Sequence, residues 1–193
     1  MALGVGNGQG DRVDRRSFLI AAGAVAAAPF ASRAVAAAST RRSIPRPTAA
    51  LVTRWDTDPF ALGSYSALPP GTPPSVRRTL ADAVLGGRIV FAGEHCDPKH
   101  PSTTTGAHDS GRYAAQRVLD RIDPSSVIVI GAGMAGAMAA SVLHAQGVRV
   151  TVVEARDRVG GRIWSDRTWG APVEMGASWI HALKGNPMVP LAR

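Results

Sequence analysis

Three glycines, an acid and a later arginine carry the chemistry that can be read from this chain. Gly131, Gly133 and Gly136 stand in G-x-G-x-x-G spacing directly after the β-branched run Val127–Ile130. At the end of a strand that spacing suits a pyrophosphate. The first glycine permits a tight turn, the second lets backbone approach the ligand, and the third packs helix on strand. Ala135 lies inside the turn, where free amides and the positive end of a helix favour an anion. Glu154 follows 18 residues beyond Gly136, at the end of a second apolar run, where a carboxylate can accept from both ribose hydroxyls. Strand, triplet, helix, strand and terminal acid together predict a dinucleotide site. A generic α/β crossover, with glycine serving only for packing, is the competing reading.

The next residues choose between flavin and nicotinamide. "EARDRVGGRIWSD" brings Arg156, then Gly160, Gly161 and Arg162. A second glycine pair lets another backbone segment approach the cofactor, and Arg162 offers a planar fork to phosphate. With "VEMGASWIHALKGNP" (173–187) behind it, this part resembles the flavin amine oxidase family. The resemblance implies FAD, with Gly176 and Ala177 bordering it. Ala182 stands where the family usually has glycine. Trp179 and His181 fit flavin contact or ordinary packing equally well.

The elements that must hold these residues follow from apolar spacing. Ala137–Gln146 predicts a helix stopped by Gly147, and Val148–Val153 a second strand. Upstream, Ile89–Ala92 predicts a short strand with Gly93 as its exit. Ser110 predicts the cap of a helix whose apolar side includes Tyr113, Ala114, Val118 and Leu119. That strand, that helix and Val127–Ile130 predict a β-α-β unit with parallel strands and a right-handed crossover. The fold class is α/β, a Rossmann-like FAD-binding domain with a parallel sheet and flanking helices, incomplete and without a substrate domain.

The upstream segment resembles the carboxy-terminal flavin motif of the same family, in Gly63–Ser66, Phe91–His95, Thr103, Gly106-Ala107 and Ser110–Arg112. By that resemblance Gly93, Glu94 and Thr103 face the cofactor, Glu94 on its ribityl or phosphate side, and Ala107 lies beside the ring. Trp55, Tyr65 and, on the later segment, Trp179 are implied aromatic walls on the substrate side. An ion-pair or helix-capping carboxylate is the alternative for Glu94. Cys96 and Thr105 depart from the family's usual threonine and histidine. No cysteine stands where some monoamine oxidases attach their flavin, so the implied FAD is non-covalent. Neither Lys99 nor Lys184 falls at the motif of the family's flavin-side lysine. No residue is singled out as a catalytic acid or base.

The family's end thus precedes its beginning, which implies circular permutation with residues 120–126 as the seam. Segment 51–119 is the carboxy-terminal flavin part, and 127–193 the amino-terminal Rossmann part. The family's long middle region is not among these residues, so a fragment of a longer enzyme, or a subunit completed by a partner, is expected. The implied function is FAD-dependent oxidation of a small-molecule amine to an imine, with oxygen reduced to hydrogen peroxide. A flavin-binding module inactive by itself is the second reading, and a nicotinamide-dependent dehydrogenase the third.

Composition sets the remaining bounds. Of 193 residues, 22 are Lys or Arg and 14 Asp or Glu, giving a net charge of +8. The charges are scattered, with neither zinc spacing nor a basic run interleaved with aromatics, so no nucleic-acid partner is expected. Cys96 is the only cysteine and reads as a small buried residue rather than a nucleophile. Residues 1–38, with Arg15-Arg16, Phe18-Leu19 and an Ala-rich run, have the layout of a twin-arginine signal, and 39–50 of a linker. The apolar run is shorter than the roughly 20 residues that span a bilayer, so stable membrane insertion is not expected. Export to a periplasmic, cell-wall or secreted location follows.

Overall fold

Where β-branched residues alternate with small ones, the chain builds an α/β layer. The computed structural model describes residues 44–192. The predicted signal and the first part of the predicted linker lie outside that range. Residues 44–47 belong to a first unit (1–47) and are exposed and without regular structure; residues 48–192 lie in a second. First come helix α1 (Val76–Asp82), strands β1 (Val84–Leu85) and β2 (Ile89–Val90), a single 3-10 turn (Glu94–Cys96), helix α2 (Thr104–Arg121), strand β3 (Ser126–Ile130), helix α3 (Met134–Ala145) and strand β4 (Arg149–Val153). Two short strands, β5 (Ser165–Asp166) and β6 (Val173–Glu174), and a last turn, α4 (Met188–Leu191), complete the chain. No described helix is long and apolar enough to cross a membrane.

The predicted strand–turn–helix–strand unit is present. β3 and β4 run parallel, pairing Ser126 with Arg149 through Ile130 with Val153. Gly147, at φ +81°, ends the helical run as expected. Apolar residues of α2, α3 and the sheet form the core, with Ala115, Val118, Ala139, Leu143 and Val148 buried and Val127, Val129 and Val150 packed on them. Gly136 permits this closeness, since a Cβ there would stand 1.9 Å from the Gly131 carbonyl oxygen. On the other face Ile128 and Ile130 are 67% and 88% exposed.

Two expectations need correction. Ile89–Val90 does not join β3 in a parallel sheet; it pairs antiparallel with Val84–Leu85. Gly86 and Gly87, both at positive φ, make the tight turn, closed by the Arg88 amide on the Leu85 carbonyl. Two left-handed residues in succession suit a hairpin, and a hairpin wins over a crossover here. Ser110 does not cap its helix. Thr103 does, its hydroxyl accepting from the Gly106 amide at 3.0 Å, so the helix starts six residues before Ser110. Ser110 is buried inside it and accepts from the Gly93 amide at 3.1 Å. The connection to β3 is also shorter than residues 120–126. α2 continues through Arg121, and Asp123 at φ +46° turns the chain.

Candidate flavin site

The tight turn after β3 opens onto a cleft of about 1100 Å³. Every residue predicted for the site lines it, from both halves of the sequence. Gly131 holds φ +100°, which only glycine adopts without strain. Gly133 approaches the second glycine pair: its Cα lies 3.4 Å from where a Cβ on Gly161 would be. The Gly160 amide donates to the Ala132 carbonyl at 2.8 Å, fixing that approach. No side chain caps α3, and the amides of Met134, Ala135 and Gly136 have no partner among the described residues. A Cβ on Gly133 would have no neighbour closer than 3.9 Å, so that side of the glycine is open. Free amides at a helix start beside an open glycine fit a diphosphate.

Glu154 stands at the other side of the turn. One oxygen accepts from the Ala132 amide at 2.7 Å and the other from the Arg156 amide at 3.0 Å. These backbone bonds, from Arg156 and then Ala132, hold its carboxyl below the ordinary range. Each oxygen retains acceptor capacity for a ribose hydroxyl. The Arg156 side chain pairs with Asp58 and lies over Phe60, 5.3 Å from the ring centre. Arg158 donates to the Gly161 carbonyl at 2.8 Å.

Glu94 is where the two segments join. It is 6% exposed and receives four hydrogen bonds. Oε1 accepts from the Ser66 amide at 2.9 Å and from Arg162 Nη1 at 3.0 Å. Oε2 accepts from the Ser66 hydroxyl at 2.6 Å and from the Ser102 amide at 2.8 Å. Burial pushes this carboxyl up, but the Ser66 hydroxyl, the Ser102 amide, Arg162 and the Ser66 amide outweigh it and hold it below the ordinary range. All four acceptor positions of the carboxylate are taken. The ion-pair alternative is therefore the arrangement found: Glu94 aims Arg162, and direct contact with a ligand would have to displace an internal donor. Arg162 also donates to the Ser64 carbonyl at 3.2 Å.

The remaining predicted residues divide by how far their polar groups are engaged. Thr103 lines the cleft, but its hydroxyl is spent on the α2 cap and on the His100 carbonyl at 2.7 Å. Gly93 and Ala107 face the cleft and bring no side chain into it beyond a methyl group. Gly176 is fixed by packing, since a Cβ would stand 1.8 Å from the Arg162 carbonyl oxygen, and the adjoining Ala177 amide donates to that oxygen at 3.3 Å. Trp55 is buried, its indole N–H donating to the Met175 carbonyl at 3.2 Å, with Trp164 edge-on at 6.3 Å. Tyr65 and Trp179 are exposed in the cleft, and Trp179 donates to His181 Nε2 at 2.9 Å. Burial holds the His95 imidazole below its usual range, with Arg162 and Arg77 adding to the effect and Glu94 opposing it. Cys96 lies outside the cleft, and burial pushes its thiol up to about 11.

The family described as "Flavin containing amine oxidoreductase" matches residues 31–119 and 134–193. The chain belongs to this family. The match includes the last residues of the stretch predicted as a signal. The chain is 52% identical over 69 residues to probable polyamine oxidase 4 of Arabidopsis thaliana, across 35% of its own length and 14% of that relative. It is 48% identical over 71 residues to polyamine oxidase 5 of Oryza sativa subsp. japonica, again across 14% of the relative. With lysine-specific histone demethylase 2 of Homo sapiens it shares 50% identity over 64 residues, 33% of the chain and 8% of the relative. The chain therefore spans a small part of the relatives it matches. No solved structure matches it.

Sequence reasoning placed Ser66 within the Gly63–Ser66 motif without giving it a role of its own, and did not find Ser102, Arg77 or Asp58. Ser102 sits at φ +64°, a conformation that turns its amide toward Glu94 and that no local pattern announces. Asp58 meets Arg156 across 98 positions of sequence.

Proposed function

We propose that this chain is the FAD-binding part of an amine oxidase, with its two flavin segments in permuted order. The observation that carries the reading is the gathering of Gly131, Gly133, Gly160, Gly161, Arg162 and Glu154 around one cleft. FAD held there would supply the redox chemistry, taking a hydride from the carbon beside the amine nitrogen to leave an imine and passing the two electrons on to oxygen as hydrogen peroxide. The chain's own part is to bind and orient. The free amides of α3 would hold the pyrophosphate beside the open Gly133, and Glu154 would accept from the ribose hydroxyls. Gly93, Ala107, Gly176 and Ala177 present little beyond backbone to the cofactor, which permits close approach. Glu94 holds Arg162 as a fixed cation at the cleft wall. Tyr65 and Trp179 supply exposed aromatic surface for the substrate side.

Non-covalent attachment is favoured by Cys96, which is 1% exposed and does not line the cleft. Permutation is favoured by the short link from α2 into β3, because neighbouring ends are those that tolerate rejoining. Residues 51–119 and 127–193 then form one domain. The twin-arginine layout of residues 1–38 supports export with the cofactor already inserted, and residues 39–50 serve as the linker.

A second reading, a flavin-binding module inactive by itself, is favoured by the bare face of the sheet at Ile128 and Ile130. Parallel sheets are ordinarily covered on both faces. A partner or further chain that supplies the rest of the oxidase would cover it. Titrating the purified chain with FAD and then assaying peroxide from mono-, poly- and amino-acid amines separates the two. Peroxide from this chain alone removes the second reading. A colourless chain that binds NADH removes both.

A further inference from the structure

Arg77 lies in α1 and is only 6% exposed, although its neighbour Arg78 points outward to Asp82. A buried arginine ordinarily has a carboxylate partner. Among the described residues Arg77 forms no ion pair. Its Nη1 donates instead to the Ser66 hydroxyl at 2.7 Å and to the His95 carbonyl at 3.1 Å.

Donor chemistry fixes the direction of each bond in this cluster. A guanidinium has no acceptor, so the Ser66 oxygen must accept from Arg77. Its single proton is left for Glu94 Oε2, at 2.6 Å. An ionised carboxylate can only accept, so the bonds converge on Glu94, from Arg77 through the Ser66 hydroxyl on one side and from Arg162 directly on the other. Arg162 lines the cleft, and Arg77 does not. Two cations thus flank one buried carboxylate, one directly and one through a hydroxyl.

We propose that Arg77 is a positioning residue for the cofactor-facing wall of the cleft, acting through the Ser66 hydroxyl to orient Glu94 and so Arg162. The consequence for FAD rests on the cofactor reading above; the relay itself does not. With the Arg77 guanidinium removed, the Ser66 hydroxyl loses the donor that fixes its orientation and polarises its proton, so its bond to Glu94 weakens and Arg162 is held less firmly.

The test uses the full chain. It contains three glutamates, Glu94, Glu154 and Glu174, so selective ¹³C labelling of glutamate side chains gives three resolvable titrations. In Arg77→Met the acid dissociation constant of Glu94 is expected to fall about tenfold, the scale of one hydrogen bond to a charged group. Arg77→Lys, which keeps a cation and donors, restores most of it. The Arg77→Met effect is expected to shrink below half in a Ser66→Ala background. An equal effect in both backgrounds, or no movement of Glu94, overturns the proposal. Should Arg77→Met fail to fold by far-UV circular dichroism, Arg77→Gln in the same two backgrounds decides by the same criterion. FAD affinity, read by flavin fluorescence, is expected to weaken about tenfold in Arg77→Met. If the wild-type chain binds no FAD, the cofactor reading fails while the glutamate titration still decides the relay.

Discussion

Replacing Glu94 by glutamine tests how the two segments are held together. The carboxylate accepts four hydrogen bonds, two at each oxygen, and is 6% exposed. Glutamine retains one oxygen and turns the other position into a donor facing donors. In one orientation the Ser66 amide and Arg162 lose their acceptor; in the other, the Ser66 hydroxyl and the Ser102 amide do. Each bond to a charged group is worth about 1.5–3 kcal/mol, and a buried pair broken on one side costs about 3–5 kcal/mol. Glu94→Gln is therefore expected to cost about 3–5 kcal/mol, a large share of the roughly 5–15 kcal/mol by which domains are stable. Urea unfolding followed by tryptophan fluorescence measures it, with Trp55 and Trp164 as reporters. Glu154→Gln is the control, because that carboxylate is less buried and accepts from only two backbone amides, those of Ala132 and Arg156. A loss below about 1 kcal/mol for Glu94→Gln, or one no larger than for Glu154→Gln, would refute the reasoning.

Three further outcomes rest on the same geometry. Gly136→Ala places a methyl group 1.9 Å from the Gly131 carbonyl oxygen, so it is expected to destabilise by at least the roughly 1–3 kcal/mol of ordinary overpacking, read as a lowered urea midpoint. Ala182→Gly is expected to stabilise by about 1 kcal/mol in the same assay, because Ala182 holds φ +59° on the surface. Acid titration should weaken the fold in two windows. His95 is held below its usual 6.5, so its contribution is present above pH 6.5 and lost as pH falls through its lower folded value. Glu94 is held below 4.5, so its contribution is present above that pH and lost as pH falls through its own folded value. Removing Glu94 is expected to shrink the more acidic window, which Glu154 shares, and to move the His95 window to lower pH, because Glu94 opposes the lowering of that imidazole.

The turn after β3 was legible because every part of it is local. Val127–Ile130, the glycine triplet and the Gly147 stop lie within one short stretch and obey one pattern. The hairpin was missed although its signal was also local: Leu85-Gly86-Gly87-Arg88 places two glycines between apolar pairs, the arrangement a tight hairpin requires. Ser110 was misread because it is a good capping residue that here sits mid-helix, where its hydroxyl serves Gly93. The Glu94 cluster was only half legible. A carboxylate in "FAGEH" and an arginine in "GGRI" were both marked for the cofactor, yet their mutual bond joins residues 68 positions apart. Ser66, Ser102 and Arg77 reach the site from separate segments, and spacing along the chain carries no trace of such meetings.

Binding of FAD to the wild-type chain and to Gly133→Ala tests the central claim most directly. Gly133 has ordinary helix-entry dihedrals and no neighbour within 3.9 Å of an added methyl group, so the fold tolerates alanine there. The methyl group would occupy space beside the free amides of α3. The account expects the wild-type chain to bind FAD and Gly133→Ala to bind it at least about tenfold more weakly, with an unchanged urea midpoint. Equal affinity in the two proteins, or no FAD bound by either, would contradict it.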